Sequence, residues 1–322
     1  MRFPIVFGIL GLLTGCGENS GAPPLVPETG EFVIGVLPDT QIYAARCPEV
    51  FEAQTAWLAE NADALSLRFV IHLGDLTDDG NGPQWQVASD AMAELDGRVP
   101  YSVLPGNHDI GVNGDASTRD GMLDTWFPVD RFTDTLVDSY PAGSSINSFH
   151  RFDAGDHTEC VMALEFGPRQ DVVDWAAGVL AANADCPTTL STHAYLYDDG
   201  ERYSDASTQL YHPDSYGIAR TEDVYDGEEL YQALVAPSSQ VRMVLSGHVL
   251  GTGVARRIDR RADNTSVVQM LSNFQEQGPC GGDGFLRLIG VSPEGIRVRT
   301  YSPTLDVSLE DNEHHFDVPW SE

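Results

Sequence analysis

The sequence contains no lysine: all eighteen basic residues among its 322 positions are arginines. Mechanisms that depend on a lysine side chain, such as Schiff-base formation, a P-loop or a general-base lysine, are therefore excluded. Two glycine motifs are also missing, the G-x-S-x-G of serine hydrolases and the G-x-G-x-x-G of dinucleotide-binding proteins. Serine hydrolase and nucleotide-cofactor functions are thereby removed from consideration.

Positive charge is scarce throughout, and the formal net charge is -31. The acidic residues are spread along the chain rather than gathered in one run, which is typical of a solvated acidic surface. A surface of this kind repels polyanions at low salt. We therefore expect no nucleic-acid partner and favour a small substrate over a polymeric one.

Five short polar blocks carry most of the functional information. Each follows an apolar run rich in β-branched residues, which predicts a buried strand ending in a loop. The blocks are Asp39-Thr40-Gln41, Gly74-Asp75-Leu76-Thr77-Asp78, Gly106-Asn107-His108-Asp109, Thr192-His193 and Gly247-His248. Helical patterns alternate with these strands, so the sequence predicts an α/β fold with the blocks at one sheet edge, where such folds place their sites.

The side chains in these blocks predict a metal site. Carboxylate, amide oxygen and imidazole are ligands for divalent Mn, Fe, Zn, Mg or Ca, and one carboxylate can bridge two ions. Two ions would clamp a phosphoryl group and supply a hydroxide for in-line attack. We therefore expect one or two divalent metal ions as cofactors.

The order of the blocks resembles the calcineurin-like metallophosphoesterase family, whose pattern is D-x-H, G-D-x-x-D/N, G-N-H-D/E, a lone H, then G-H-x-H. The resemblance runs from about residue 31 to about residue 302. It implies a four-layer α/β/β/α metallophosphoesterase sandwich that hydrolyses phosphomonoesters or phosphodiesters.

Matched residue by residue, the resemblance implies that Asp39 binds the first metal and that Asp75 bridges both metals and takes part in catalysis. Three further residues would bind the second metal, namely Asn107, His193 and His248. His108 would bind no metal but would lie over the phosphate, as an electrostatic stabiliser or as the acid for the leaving group.

Two positions depart from the family pattern, and both affect the first metal. Gln41 stands where the first block should carry His, and Leu250 stands where the last block should carry its second His. The sequence leaves three alternatives open. The enzyme binds one metal only, or its first site consists of oxygen ligands including Gln41 and prefers Mg, Mn or Ca, or Asn273 or Gln275 supplies a replacement ligand. An alternative is a catalytically degenerate lipoprotein that acts as a binding or scaffold protein, although the presence of His108 favours an enzyme.

The N-terminus predicts export. Residues 1–15 have the basic start and short apolar run of a signal peptide, too short to span a bilayer. The run ends in Leu13-Thr14-Gly15-Cys16, which resembles the bacterial lipoprotein cleavage box and makes Cys16 the lipidated residue. A flexible linker over residues 16–30 would follow, and Gly17 after the cysteine favours sorting to the outer membrane. The alternative is an ordinary signal peptide that happens to contain a cysteine.

Export also bears on the other four cysteines. Their even number in an oxidising compartment predicts two disulfides, for which three pairings exist. We expect Cys160 to pair with Cys186, because a strand and a following helical segment would bring them together, and Cys47 to pair with Cys280 near the active edge. The alternative is four independent buried thiols.

We predict one domain over residues 31–302 and a polar C-terminal tail over residues 303–322. The late strands suggest an antiparallel meander that closes the second sheet. Between the fourth and fifth blocks lies a long segment, residues 194–227, without clear periodicity. Three of its residues are candidate substrate contacts, namely Tyr195, Arg202 and Arg220, and the alternative is that its aromatic residues only pin the loop to the body.

Overall fold

The computed structural model of the protein describes residues 24–111, 113–261 and 264–320. In this part of the chain fourteen strands form two sheets: β1 Phe32–Leu37, β2 Leu67–His72, β3 Tyr101–Ser102, β4 Leu136–Tyr140, β5 Asn147–Asp153, β6 Thr158–Leu164, β7 Thr188–Thr192, β8 Val241–Ser246, β9 Val254–Arg260, β10 Ser266–Ser272, β11 Leu286–Val291, β12 Gly295–Ser302, β13 Val307–Leu309 and β14 His315–Pro319. The first sheet has the order β13-β12-β11-β1-β2-β3, with β14 also paired to β12. The second has the order β4-β5-β6-β7-β8-β10-β9.

The helices lie between and after the parallel strands. Their bounds are α1 Gln41–Arg46, α2 Pro48–Glu60, α3 Ala62–Leu65, α4 Gly82–Ala93, α5 Leu123–Trp126, α6 Gln170–Ala182 and α7 Gly227–Leu230, the last continued by a π-helical turn over Tyr231–Val235. Short 3-10 turns occur at Val129–Phe132, Pro213–Ser215 and Gly217–Arg220. Helix α4 begins at an Asn81 cap, whose side-chain oxygen accepts a hydrogen bond from the backbone N–H of Gln84.

Three apolar clusters show how the layers stack. One packs α2 and α4 on the outer face of the first sheet, through residues such as Leu58, Trp85 and Val33. A second fills the space between the two sheets, with Ile34 opposite strands of the second sheet. The third packs α6 on the far face of the second sheet. Because neighbouring strand residues face opposite sides, Val33 and Ile34 belong to different clusters, and the predicted four-layer α/β/β/α sandwich is confirmed.

Parallel pairing places the polar blocks together. Strands β1, β2 and β3 run parallel in the first sheet, and β6, β7, β8 and β10 run parallel in the second. Their carboxyl ends therefore meet at one edge of the sandwich, and the loops that follow them supply the candidate site.

The late strands do not form the single meander expected from the sequence. Strands β9 and β10 complete the second sheet, whereas β11 and β12 join the first, with β11 antiparallel to β1. The chain crosses from one sheet to the other between Ser272 and Leu286, at the same edge as the polar blocks. This crossing loop, residues 273–285, carries Asn273 and Gln275 into the candidate site.

The predicted C-terminal tail is also corrected, because residues 303–322 contain β13 and β14, which both pair with β12. At the other end, Leu25 is buried against the helical face of the first sheet, so the predicted linker is packed in its last part. The predicted signal peptide over residues 1–15 and the lipidation residue Cys16 lie outside the described residues. No helix within the described ranges is long and apolar enough to span a membrane.

Two disulfides link distant segments in the expected pairs. Cys47 is bonded to Cys280 with a Cα–Cα distance of 5.8 Å, and Cys160 is bonded to Cys186 with a Cα–Cα distance of 6.0 Å. The first joins the end of α1 to the crossing loop. The second joins β6 to the segment just before β7, which delivers His193.

Candidate metal centre

Three buried side chains offer ligand atoms to one point at the sheet edge. Atoms of Asp75, His193 and His248 all lie within 4.8 Å of one another. Asn107 adds an amide oxygen, since its Oδ1 is 3.2 Å from Nε2 of His193. These are the four residues predicted for the second metal, and the fold brings them together from four different strand ends.

Backbone carbonyls accept from one side-chain nitrogen of each of the two histidines and of Asn107. His193 Nδ1 donates to the carbonyl of Leu73 at 2.8 Å, and His248 Nε2 donates to the carbonyl of Tyr211 at 2.8 Å. Asn107 Nδ2 donates to the carbonyl of Gly114 at 2.9 Å. His193 Nε2, His248 Nδ1 and Asn107 Oδ1 are therefore the atoms left to bind a metal, in the arrangement by which proteins orient their ligands. This donor set suits Zn, Fe or Mn.

The electrostatics of the cluster also fit a cation. Burial alone would lower the pKa of His193, but Asp75 and Asp39 raise it to about 9. Burial would raise the pKa of Asp75, but His193 and His108 hold it below its usual range. Burial and the neighbouring His193 lower the pKa of His248 to about 3, so its imidazole is neutral, the form that binds metal. The negative charge of Asp75 and Asp39 beside these imidazoles is what a bound metal ion would neutralise.

The residues expected at the first metal position lie beside this cluster. Asp39 is 2 % exposed, and its carboxylate accepts hydrogen bonds from the backbone N–H of His248 and from Nδ2 of Asn273 at 3.0 Å. Burial raises the pKa of Asp39 to about 7, with His193 opposing the rise and Asp75 adding to it. Asn273 thus donates to Asp39 through Nδ2, while its Oδ1 accepts from the backbone N–H of Gln275.

Gln41 also lies beside the cluster, where it contacts the Asp75 carboxylate. Its Nε2 is 3.2 Å from Asp75 Oδ2 and donates to Gln275 Oε1 at 2.6 Å. Gln275 therefore serves as an acceptor that fixes the orientation of the Gln41 amide. Leu250 lies nearby with Asn273 along a small cavity and supplies no donor atom.

His108 lies next to the cluster without belonging to it. Its backbone N–H donates to Asp75 Oδ1 at 2.9 Å, and its ring Nδ1 donates to the carbonyl of Asp78 at 2.7 Å. A Cβ added at Gly114 would lie 2.5 Å from His108 Nε2, so only glycine fits against this ring. Burial lowers the pKa of His108, but the Asp75 carboxylate and the Asp78 carbonyl raise it by more, which favours the protonated ring.

Asp109 has a structural role that the sequence did not reveal. Its carboxylate accepts hydrogen bonds from the backbone N–H groups of Leu76, Thr77 and Gly106 and from the Thr77 hydroxyl, at 2.9 to 3.1 Å. These bonds hold the second block against the third. A local turn motif and a contact between two loops look alike in sequence, so no signal within the third block marks this role.

Two of the predicted substrate contacts in the long segment, residues 194–227, have a structural role instead. Tyr195 is fully buried and donates to Gln269 Oε1 at 2.9 Å. Arg202 forms ion pairs with Glu228 and Asp259 and packs over the Tyr231 ring at 3.8 Å. Their predicted substrate contact is therefore corrected: both side chains anchor the segment to the second sheet.

Other residues of the segment do face the centre. Arg220, a predicted substrate contact, is exposed at the end of the 3-10 turn Gly217–Arg220. The Tyr211 and Tyr216 rings lie 6.2 Å and 5.7 Å from the His248 ring. Backbone N–H groups of Gly217 and Ile218 donate to the carbonyls of Asp115 and Ala116, which ties the segment to the loop after His108. The segment thus forms a wall over the metal centre, and Tyr211 and Tyr216 are the wall residues that sequence reasoning missed.

The described residues form an α/β/β/α sandwich with a buried cluster of candidate metal ligands at its strand ends, and three comparisons relate the chain to known proteins. The family model of the calcineurin-like phosphoesterases matches residues 32–251. The uncharacterized protein YvnB of Bacillus subtilis (strain 168) is 31% identical over 280 residues, which covers 83% of this chain and 19% of YvnB. The chain therefore spans about a fifth of the length of that relative.

Two solved structures share the fold. Purple acid phosphatase PPD1 from yellow lupin (Lupinus luteus) seeds has a TM-score of 0.53 at 13% identity, covering 90% of this chain and 54% of the lupin chain. GAP50, the anchor in the inner membrane complex of Plasmodium, has a TM-score of 0.50 at 12% identity, covering 91% of this chain and 90% of its own. The chain belongs to the calcineurin-like phosphoesterase family.

Proposed function

We propose that the protein is a metal-dependent phosphoesterase that hydrolyses a small phosphomonoester or phosphodiester. Family membership supports phosphoester hydrolysis as the general chemistry. The observation that carries the proposal is the buried ligand set of Asp75, Asn107, His193 and His248. The backbone takes the other polar atoms of three of these side chains, so that His193 Nε2, Asn107 Oδ1 and the Asp75 carboxylate are left facing one another, as the ligands of one cation would be.

A divalent ion held by this set would supply positive charge to the phosphoryl oxygens and activate water for attack. The chain's own residues then have distinct tasks. Asp75 accepts a hydrogen bond from the His108 backbone N–H through Oδ1, which helps to keep its carboxylate ionised beside the cation. His108 is fixed through Nδ1 and would direct its other ring nitrogen toward the leaving-group oxygen, where a protonated ring can give up a proton.

Charge and the wall segment favour a small substrate. The net charge of -31 opposes the approach of a polyanion. Tyr211 and Tyr216 beside His248 narrow the approach to the centre, and an aromatic ring there could stack on a base or sugar. We propose a small phosphorylated substrate and no nucleic-acid partner.

We also propose that the protein works outside the cytoplasm, held in a bacterial cell envelope by a lipid on Cys16, with the outer membrane as its destination. The cleavage box at Cys16 supports this location. Two disulfides in the described chain are typical of proteins exposed to an oxidising compartment.

Turnover by metal-reloaded protein tests the reaction. Protein stripped with a chelator should be reloaded in turn with Mn, Zn, Fe, Mg and Ca, then assayed on 4-nitrophenyl phosphate and bis(4-nitrophenyl) phosphate. Asp75→Asn should remove both bound metal and turnover, because Asp75 contacts His193 and the first position together. Asp185→Asn, an exposed carboxylate outside the centre, is the matched control and should behave as the wild type.

One alternative function stays open because Gln41 and Leu250 replace two family ligands. A degenerate centre would leave a metal-stabilised binding or scaffold lipoprotein. If neither ester is cleaved with any of the five metals while the protein still binds metal, the phosphoesterase proposal fails and this alternative stands.

A further inference from the structure

One arginine of the first sheet is buried with most of its hydrogen-bonding capacity unused. Arg287 on β11 is 2 % exposed, and its neighbours in register are Val36 of β1 and Thr300 of β12. Val36 belongs to the apolar cluster between the two sheets, so the Arg287 side chain enters that layer. Its Nη2 donates to the carbonyl of Glu313 at 2.9 Å, whereas Nε and Nη1 have no partner among the residues that the structure describes.

The positive charge of this arginine also lacks close compensation. Burial lowers the pKa of Arg287 to about 10, the exposed Glu313 carboxylate opposes the fall, and the Arg256 guanidinium adds to it. The side chain therefore stays charged at neutral pH. Arg256 and Arg287 lie 4.0 Å and 5.9 Å from the same Phe316 ring, so two cations share one aromatic neighbour. A buried cation beside a second cation is unfavourable unless an anion compensates it.

A second unpartnered group lies beside the guanidinium. Thr300 is fully buried, and its Oγ1 has no hydrogen-bond partner within the described ranges. Because Thr300 and Arg287 are directly paired across β12 and β11, their side chains stand next to each other on one face of the sheet. A hydroxyl can donate to the same acceptor as a guanidinium. Three donor groups from two neighbouring residues are therefore available to one buried acceptor.

We propose that Arg287 and Thr300 bind a small inorganic monoanion of the size of chloride between the two sheets. Water would satisfy the hydrogen bonds but would leave the charge uncompensated. Both side chains are buried, so the anion must be small. Since Arg287 also donates to the carbonyl of Glu313, the anion would strengthen the link between β11, β12 and the segment that leads into β14. Neither residue belongs to the polar blocks, and the inference does not depend on the proposed function.

Unfolding at fixed ionic strength tests the anion. Urea unfolding of the mature protein should be measured at constant sodium concentration while chloride replaces gluconate, which is too large for a buried site. A ligand that binds only the folded state raises the ratio of folded to unfolded protein, by about tenfold for each tenfold rise in its concentration above Kd. Wild-type protein should show this slope of one anion per chain. In crystals grown with bromide, the anomalous signal of one bromide ion should lie against Arg287 and Thr300.

Variants assign the effect to the two residues. Arg287→Met should lose the chloride dependence, and in gluconate it should be at least as stable as the wild type, because it removes a buried charge without a partner. Thr300→Val keeps the shape and the charge but loses the hydroxyl, so about tenfold more chloride should be needed for the same stabilisation. Arg299→Met is the matched control. Arg299 is a neighbouring arginine of β12 that already pairs with Asp317, so its loss should leave the chloride dependence unchanged.

The inference is overturned if chloride and gluconate give the wild type the same stability, or if Arg287→Met keeps the chloride dependence. It is equally overturned if the bromide crystals show only water, or the carboxylate of Glu313 or Asp311, against the Arg287 guanidinium. Should Arg287→Met fail to fold, Thr300→Val tests the site with Arg287 intact. These measurements use neither turnover nor metal content, so their failure would leave the phosphoesterase proposal untouched.

Discussion

Replacing His108 should separate proton donation from metal binding. The side chain contacts the Asp78 carbonyl and Gly114, while the bond to Asp75 comes from its backbone N–H, which His108→Ala retains. The variant should therefore keep its metal. A proton-transfer group typically contributes about 10²- to 10⁴-fold to turnover, which is about 2.7 to 5.4 kcal/mol of the activation barrier.

The leaving group of the substrate decides what His108 does. If the ring gives a proton to the departing oxygen, the loss in kcat should be large for phenyl or alkyl phosphates and small for 4-nitrophenyl phosphate, whose leaving group needs no proton. A ring that only stabilises charge on the phosphate would slow all of these esters alike. His157→Ala, at a turn on the opposite edge, is the control. Loss of metal from His108→Ala, or unchanged kcat on every ester, would refute the assigned role.

Three further predictions concern stability and location. The double variant Cys160→Ala, Cys186→Ala removes a disulfide that closes a loop of 26 residues. Because the unfolded chain then gains conformational entropy, the free energy of unfolding should fall by about 3.5 kcal/mol. Non-reducing peptide mapping of the wild type should recover the Cys160–Cys186 link. Burial lowers the pKa of His150 to about 3 in the folded protein. Between about pH 6.5 and pH 3 the unfolded chain therefore binds one more proton than the folded protein does, so the folded protein loses stability as the pH falls through that window. Urea unfolding at pH 7, 6 and 5 should show a steeper fall for wild type than for His150→Gln, by up to about 1.4 kcal/mol per pH unit, and equal slopes would contradict the assignment. Wild-type protein should partition into membranes with a lipid-shifted N-terminal peptide, whereas Cys16→Ala should not mature normally, and recovery of an unmodified soluble wild-type protein would reject the anchor.

The parts of the fold that the sequence predicted are those set by local pattern. Strand β1 ends at Leu37, just before the first polar block, and β8 ends at Ser246, directly before Gly247-His248, since a buried strand followed by Gly, Asp or His changes composition abruptly. The sheet to which each strand belongs could not be predicted from local pattern. Strands β10 and β11 look alike as short apolar runs, yet they lie in different sheets, because the choice depends on pairing with β8 and β1 far away in the chain.

The residues of the candidate site likewise divide into those that local sequence predicts and those whose role depends on distant contacts. Ligand types and their order were visible in the sequence, because each block is a few residues long. Contacts across the chain were not: Tyr195 and Arg202 resemble substrate-binding residues until the structure shows Gln269, Glu228 and Asp259 around them. A buried tyrosine or arginine whose partners come from other segments carries no local mark of its burial.

The two departures from the family pattern take on another meaning once these distant contacts are known. In the sequence alone, Gln41 and Leu250 count as two lost ligands. In the structure, Gln41 is paired with Gln275, 234 residues away, and Asp39 receives a hydrogen bond from Asn273 on the same crossing loop. A donor for Asp39 and an acceptor for the Gln41 amide are thus delivered together by one loop, which the Cys47–Cys280 disulfide ties to the end of α1. Neither contact is visible in the two blocks themselves, because both partners lie at the far end of the chain.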